Sequence, residues 1–356
     1  MPVDMNALNE DKLHEFVGKL LGDLGGAFSV PLVRIGDKLG LYDALFEAGT
    51  ASAAELAQTT GTTERYIREW ACAQAASGYL DYDDAAETFT MTPEQAMVFG
   101  IADSPVALSG AFEAAAAAIA GGDKVGEAFK SGEGVGWGDQ ATCLFCATAK
   151  FFRPGYTNHI VQEWLPALDG VVEKLQSGAK VADVGCGHGI STVIMAEAFP
   201  NSNFVGFDFH PDSIHHARQN AEEAGVSNVS FETALAKEVP ADNYDFVALF
   251  DCLHDMGDPE GALKHLRSTM ASDGSLMIVE PMAGDSVSDN LNPVGRLYYS
   301  ASTVICVPTS LAQEVGLALG AQAGEKRLSE VITGAGFSST KRATETPFNM
   351  ILEARP

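Results

Sequence analysis

The chain has 356 residues, enough for two domains or for one large domain with an appendage. With 46% hydrophobic and 20% charged residues it is not a disordered chain, and no apolar run approaches the roughly 20 residues that span a bilayer. Forty-eight acidic against 22 basic residues give a net charge of −26, which excludes the clustered basic surface that nucleic-acid backbones require.

The N-terminus carries Asp4, Glu10 and Asp11 and lacks a basic-then-apolar leader pattern, so a soluble cytoplasmic protein is expected. Residues 1–100 predict a first domain. An apolar helical pattern covers 31–46, and a helix pair, 52–59 and 62–76, turns at Gly61. Tyr79–Tyr82 and Thr88–Met91 alternate around an acidic Asp83-Asp84 turn as a hairpin does, which completes a winged-helix order. The stretch Leu20–Phe46 is too apolar for a small domain standing alone, so a homodimer is expected.

Residues 101–176 read as a helical linker roofing an active site, with a glycine-rich interruption at 131–138 and breaks at Pro166 and Gly170. From 177 to 356 strands and helices alternate: strands at 180–184, 203–208, 229–233, 244–250 and 275–280, helices at 191–199, 213–224 and 259–270. Such alternation predicts an α/β domain with a mostly parallel sheet covered on both faces. Six cysteines are scattered along the chain. Cys143 and Cys146 form one CxxC with no second pair near it, so two buried thiols on a packed helix are predicted, and no metal.

The chemistry concentrates at 181–189, VADVGCGHG. Gly185, Gly187 and Gly189 form a GxGxG turn between strand and helix, where the bare backbone can approach a ligand closely. Asp208 ends the next strand, 23 residues after Gly185 (208 − 185), where an acid can accept from both hydroxyls of a ribose. The turn departs from the dinucleotide pattern, with Ile190 in place of a third spaced glycine and the acid Asp183 two residues before the first one. An acid there suits a cationic ligand better than a pyrophosphate.

This acid-x-GxGxG arrangement resembles motif I of class I S-adenosylmethionine (SAM)-dependent methyltransferases. Nearly the whole chain is similar to a group of bacterial two-domain methyltransferases with an N-terminal winged helix. The likeness rests on 62–70, 77–83, 181–189, 250–259, 290–299 and the C-terminal ATETPFNMILEARP. More distantly, the layout is similar to plant-type small-molecule O-methyltransferases. The resemblance implies a Rossmann-like seven-stranded sheet with an antiparallel C-terminal strand, and an N-terminal domain for dimerisation and substrate capping.

It further implies SAM contacts from Asp183, Gly185, Cys186, Gly187, Gly189, Asp208, Phe209, Thr233, Ala234, Leu235, Phe250, Asp251 and Cys252. His254, of the His254-Asp255 pair past the fourth strand, would deprotonate an acceptor hydroxyl, braced by Glu280. Two departures stand out: Ala234-Leu235 replace the acid that commonly meets adenine, and Gln322 falls where a second bracing acid is expected. Trp137, Phe145, Phe152, Tyr298 and Tyr299 are candidates for a substrate pocket. A small-molecule acceptor is expected, with methyl transfer to O, N or C open at this stage. Of the competing classes, a DNA-binding regulator conflicts with the acids on the 62–76 helix and the wing; a non-catalytic SAM-binding protein differs only at the acceptor site.

Overall fold

A computed structural model describes residues 7–101, 104–141 and 143–356, with Cys143 described by its backbone alone. The chain divides into two compact units, residues 1–116 and 117–356.

The first unit opens with α1 (Glu10–Lys38), started by the Asn9 side chain accepting the Lys12 N–H at 3.0 Å. The single helix expected over 31–46 is two. α1 runs through Pro31, and Gly40, in the left-handed conformation (φ 64°), turns the chain into α2 (Leu41–Ala48). β1 (Thr50–Ala51) follows, then α3 (Ala53–Thr60) behind a Ser52–Glu55 capping box, α4 (Glu64–Ala76), β2 (Asp81–Asp83), β3 (Thr88–Thr90) and α5 (Pro93–Phe99). The strands form an antiparallel sheet in the order β1-β3-β2, the wing of a winged helix. Val33, Leu41, Leu45, Leu56, Ile67, Trp70 and Phe89 pack its core, and the Tyr42 hydroxyl donates to Gln74 Oε1 at 2.7 Å.

α1 revises the expectation that no segment has spanning length. Over its 29 residues it is long and apolar enough, by length and composition, to cross a membrane. Leu13, Val17, Leu20, Leu24 and Phe28 lie exposed along it at spacings of three and four, which is one helical stripe.

α6 (Ser109–Ser131) carries the chain into the second unit, where α7 (Cys143–His159) runs into a π-helical turn (Ile160–Trp164), a 3-10 turn (Leu165–Ala167) and α8 (Val171–Ser177). Cys146 is an exposed free thiol, not a buried one as expected, and the Cys143 side chain lies outside the described residues.

Then come β4 (Lys180–Val184), α9 (Ile190–Ala198), β5 (Asn203–Asp208), α10 (Pro211–Ala224), β6 (Val229–Thr233), β7 (Tyr244–Phe250), α11 (Pro259–Thr269) and β8 (Met270–Pro281). α12 (Pro293–Ala301), α13 (Val307–Leu311), α14 (Gly324–Gly334), β9 (Ser339–Glu345) and β10 (Asn349–Arg355) finish the chain. The sheet order is β6-β5-β4-β7-β8-β10-β9; β4 to β8 pair in parallel, and β10 runs antiparallel to both of its neighbours.

Successive residues of each strand feed opposite cores, as the two-residue pleat requires. Ala182, Val247, Leu249, Leu276 and Ile278 pack with Leu263, Leu328 and Ile332 of α11 and α14. Val181, Phe246, Ala248, Met277 and Val279 pack with Trp164, Leu175 and Met195 on the other face. Each of the larger side chains among these, fully withdrawn from water, contributes about 1.5–3 kcal/mol before entropy is charged against it. The strand order reverses beside β4, so β4 and β7 diverge at their carboxyl ends and open a crevice, the place where open α/β sheets bind ligands.

Candidate active site

β4 ends at Val184 and the chain turns through Gly185, Gly187 and Gly189, all with positive φ (76°, 53° and 72°). At Gly185 a Cβ would stand 2.6 Å from Cys252 Sγ, so the turn packs against the end of β7. At Gly187 a Cβ would meet open space, leaving bare backbone on the ligand side.

Asp208 ends β5 and fixes the turn: its Oδ2 accepts the Gly187 N–H and its Oδ1 the His210 N–H, both at 2.9 Å. Burial raises its carboxyl's pKa, and the two N–H donors draw it back down. Asp183 sits behind the turn and not on the cavity wall. Its Oδ2 accepts from Ser191 and Thr192 hydroxyls at 2.7 Å each, tying β4 to the first turn of α9, and its Oδ1 is buried without a hydrogen bond. Burial pushes this carboxyl up to about 6.

A cavity of about 390 Å³ opens over the carboxyl ends of β4, β5 and β7. On the motif side it is lined by Gly185, Cys186, Gly187, Asp208 and Phe209, with Ala234 and Leu235 after β6. Phe250, Asp251 and Cys252 line it at the end of β7. Trp137, Phe145 and Phe152 form an aromatic wall: Trp137 meets Phe145 edge-on at 5.3 Å, and Phe145 stacks on His210 at 4.7 Å. Phe152 stacks on Tyr156 at 5.6 Å, and the Tyr156 hydroxyl donates to Asp251 Oδ2 at 2.8 Å. Asn349 of β10 donates to Asp251 Oδ1 at 2.8 Å. These two donors hold Asp251 at φ 48°, a left-handed conformation costing on the order of 1 kcal/mol for a non-glycine residue. Burial, with Glu280 next in weight, pushes its carboxyl up to about 8.

Several expected residues lie elsewhere. Gly189 starts α9, and Thr233 faces outward at the end of β6; neither lines the cavity. Tyr298 and Tyr299 are also off the wall. α12 turns Tyr298 into a small core with Cys306 and Ala321, its hydroxyl donating to the Phe348 carbonyl at 2.9 Å, because a place after the fifth strand does not set the rotation of the helix that follows.

His254 and Glu280 do meet. Past β7 a 3-10 turn (Leu253–Asp255) drops the His254 ring beside β8, with Nδ1 2.6 Å from Glu280 Oε2. Glu280 Oε1 also accepts the Leu253 N–H at 3.0 Å, which fixes the carboxylate. His254 is 4% exposed and does not itself line the cavity; its neighbour Asp255 does. Nε2 lies 3.3 Å from Asp255 Oδ1. Desolvation lowers the pKa of His254, but Glu280, Asp255 and Cys306 outweigh it and hold the imidazole well above its usual range.

Gln322 is not part of this group, since its amide donates to the Met282 and Ala321 carbonyls at 3.0 and 2.8 Å. The second carboxylate at the histidine is its own neighbour, Asp255. Cys306 also arrives here, so folding gathers a cluster of three possible metal ligands that the sequence reading did not find. Cys306 stands 51 residues after Asp255 (306 − 255), with no spacing to betray it. Thr309, Gln313 and Glu314, from α13 and the segment after it, complete the cavity wall, and nothing in their local sequence announces it.

Residues 175–321 match the family described as a methyltransferase domain, and residues 27–100 the Rv2258c-like winged HTH domain. The chain therefore carries a class I SAM-dependent methyltransferase domain behind an N-terminal winged-helix domain. A malonyl-[acyl-carrier protein] O-methyltransferase of a Paenibacillus species is 28% identical over 102 residues, covering 28% of this chain and 37% of that protein. A ubiquinone biosynthesis O-methyltransferase of Actinobacillus pleuropneumoniae is 30% identical over 117 residues, covering 31% of this chain and 49% of that protein. The chain thus spans about half or less of the length of these curated relatives. Human N-acetylserotonin methyltransferase, solved with SAM, has the same fold at 17% identity, with a TM-score of 0.69 and 99% of each chain covered.

Proposed function

We propose that the protein methylates a hydroxyl of a small, largely apolar acceptor, with SAM as the donor. Bound SAM supplies a methyl carbon activated by its positive sulfur, which leaves alignment, exclusion of water and removal of the acceptor's proton to the chain. The bare Gly187 backbone and the Asp208 carboxylate suit the donor's sugar, and Phe209, Ala234 and Leu235 offer apolar walls for its base. The cavity is within the roughly 300–1,000 Å³ usual for small-molecule sites, and its aromatic wall suits a flat acceptor.

As the acceptor oxygen bonds to the methyl carbon, its proton passes to the Asp255 carboxylate, whose charge the adjoining His254 imidazolium balances. Asp255 presents a carboxylate at the cavity wall, His254 stands 3.3 Å behind it, and Glu280 orients the ring. The single observation that carries this reading is one cavity joining the glycine turn to Asp255. O-methyltransferases among the relatives support oxygen as the acceptor atom.

A panel of phenols, catechols and polyketide-like hydroxyls, read by S-adenosylhomocysteine release, tests the reading. With an accepted substrate, His254→Ala should lower turnover about 10²–10⁴-fold and leave SAM affinity nearly intact. Turnover within a few-fold of wild type would remove His254 from the proton transfer and point to a nucleophile that needs no base.

A further inference from the structure

The far end of the cavity holds a set of groups that proton transfer does not exhaust. A ring nitrogen of His254, a carboxylate oxygen of Asp255 and the Cys306 thiol all lie within 4.8 Å of one another. His254 and Asp255 share the turn after β7, while Cys306 ends a π-helical turn (Ser302–Cys306) between α12 and α13. His254 and Cys306 are buried, and Asp255 lines the cavity, so the cluster has a buried back and an open front.

Three details go beyond a hydrogen-bonded cluster. The first is the donor set: an imidazole, a carboxylate and a thiolate are the three ligand types that zinc takes from proteins. Two ligand atoms bonded to zinc at about 2.0–2.1 Å and at the tetrahedral angle stand about 3.3–3.4 Å apart, and Nε2 and Oδ1 are already at 3.3 Å. The second is Asp255 Oδ1, which is buried and has the His254 ring at 3.3 Å as an ion-pair contact without a well-formed hydrogen bond. The third is the far side of the imidazole. Glu280, 1% exposed, takes Nδ1 at 2.6 Å and turns Nε2 toward Asp255, the carboxylate–histidine support that fixes the ring of a metal-bound histidine.

We infer that His254, Asp255 and Cys306 bind one zinc ion, whose fourth position faces the cavity. Binding does not depend on the methyl-transfer reading. One consequence does rest on it: the ion and the acceptor's proton compete for the Asp255 carboxylate, so zinc would slow transfer.

The test uses the full-length chain, stripped with a chelator and titrated with zinc sulfate or cobalt chloride. Calorimetry should show one zinc per chain, and cobalt should produce the near-ultraviolet thiolate-to-metal absorption and visible bands of a tetrahedral site. Cys306→Ser should abolish the thiolate band and weaken zinc about tenfold or more, while Cys146→Ser, at the exposed thiol of α7, should change neither. Wild-type protein without the thiolate band at stoichiometric cobalt would overturn the inference and leave a hydrogen-bonded cluster only. So would a band lost in Cys146→Ser and kept in Cys306→Ser. If Cys306→Ser does not fold, the wild-type spectrum and Asp255→Asn decide: loss of the tetrahedral visible bands supports the site, and an unchanged spectrum refutes it. A failed acceptor screen leaves these readouts untouched, so the two readings fail separately.

Discussion

At the scale of single residues, Asp208 serves two partners with one carboxylate. It accepts two backbone N–H groups that shape the glycine turn, and it lines the cavity. Asp208→Ala therefore removes charge-assisted hydrogen bonds to the donor and also loosens the turn. SAM affinity should fall about tenfold or more by calorimetry, and equal affinity would remove the ribose assignment. Asp183 yields a pH prediction. Its folded-state value of about 6 lies above the ordinary 3.8, so its stabilising share is fully present below the unfolded value and is lost as pH rises through 6. Asp183→Asn keeps the side chain's shape and cannot ionise. Between about pH 4.5 and pH 7 the wild type should lose more melting temperature than the variant; equal losses would contradict the raised carboxyl. The glycine turn and Asp208 were legible in the sequence because their job is local: the backbone conformation and the strand end fix where they point. Tyr298 and Asp255 were not. Facing or missing the cavity depends on the rotation of α12 and on a 3-10 turn, which no spacing records. Cys306 reaches His254 only through tertiary packing.

At the scale of elements, β4, β5 and β7 have the bounds that their apolar runs predict, because strands buried on both faces need a run of Val, Phe, Ala and Leu; β6, at the sheet edge, keeps its expected bounds with Phe231 alone buried. β1, with two residues, has no alternation to read, and Gly40 divides a helix whose apolar spacing continues across it. The glycine-rich segment at 131–138 shows the same limit. A Cβ on Gly134 would stand 2.1 Å from the Ala312 nitrogen, so the glycine is there for a close backbone approach to a helix far along the chain. α1 raises the question of what covers it. Leu24 and Phe28 are 56% and 75% exposed, in a stripe continuous with Leu13, Val17 and Leu20. Exposed apolar surface of this extent marks an interaction face, and a second copy is the partner always at hand. We propose a homodimer through α1. Light scattering should give twice the 37.5 kDa chain mass, and Leu24→Glu with Phe28→Glu should return the monomer. A wild-type monomer at micromolar concentration would overturn the dimer, and one that sediments with lipid vesicles would assign the stripe to a membrane surface.

At the scale of the whole molecule, fold and charge point in opposite directions, and their magnitudes decide between them. A winged helix is a shape able to place a helix in a DNA groove. Binding at useful affinity, however, rests on releasing counterions from several phosphates, and that needs free, clustered cations. The first 100 residues hold 6 basic and 16 acidic side chains (6 − 16 = −10), within a chain of net −26. On α4, the helix in the recognition place, Arg65 pairs with Glu69 at 2.5 Å and Arg68 with Glu64 at 3.1 Å. These exposed pairs are weak and could open near a phosphate. Opening them would leave Glu64 and Glu69 on the same helix, with Asp81 and Asp83 exposed on the wing, so each phosphate approached by an arginine would also meet a carboxylate. Screening at physiological salt softens the repulsion beyond about 8 Å without turning it into attraction. The full-length protein should therefore give no gel shift with duplex DNA below the weak nonspecific range, and adding salt should change nothing. A sub-micromolar shift that weakens steeply with salt would mean that cations gather on a face of the assembled protein, and the argument from charge would fall.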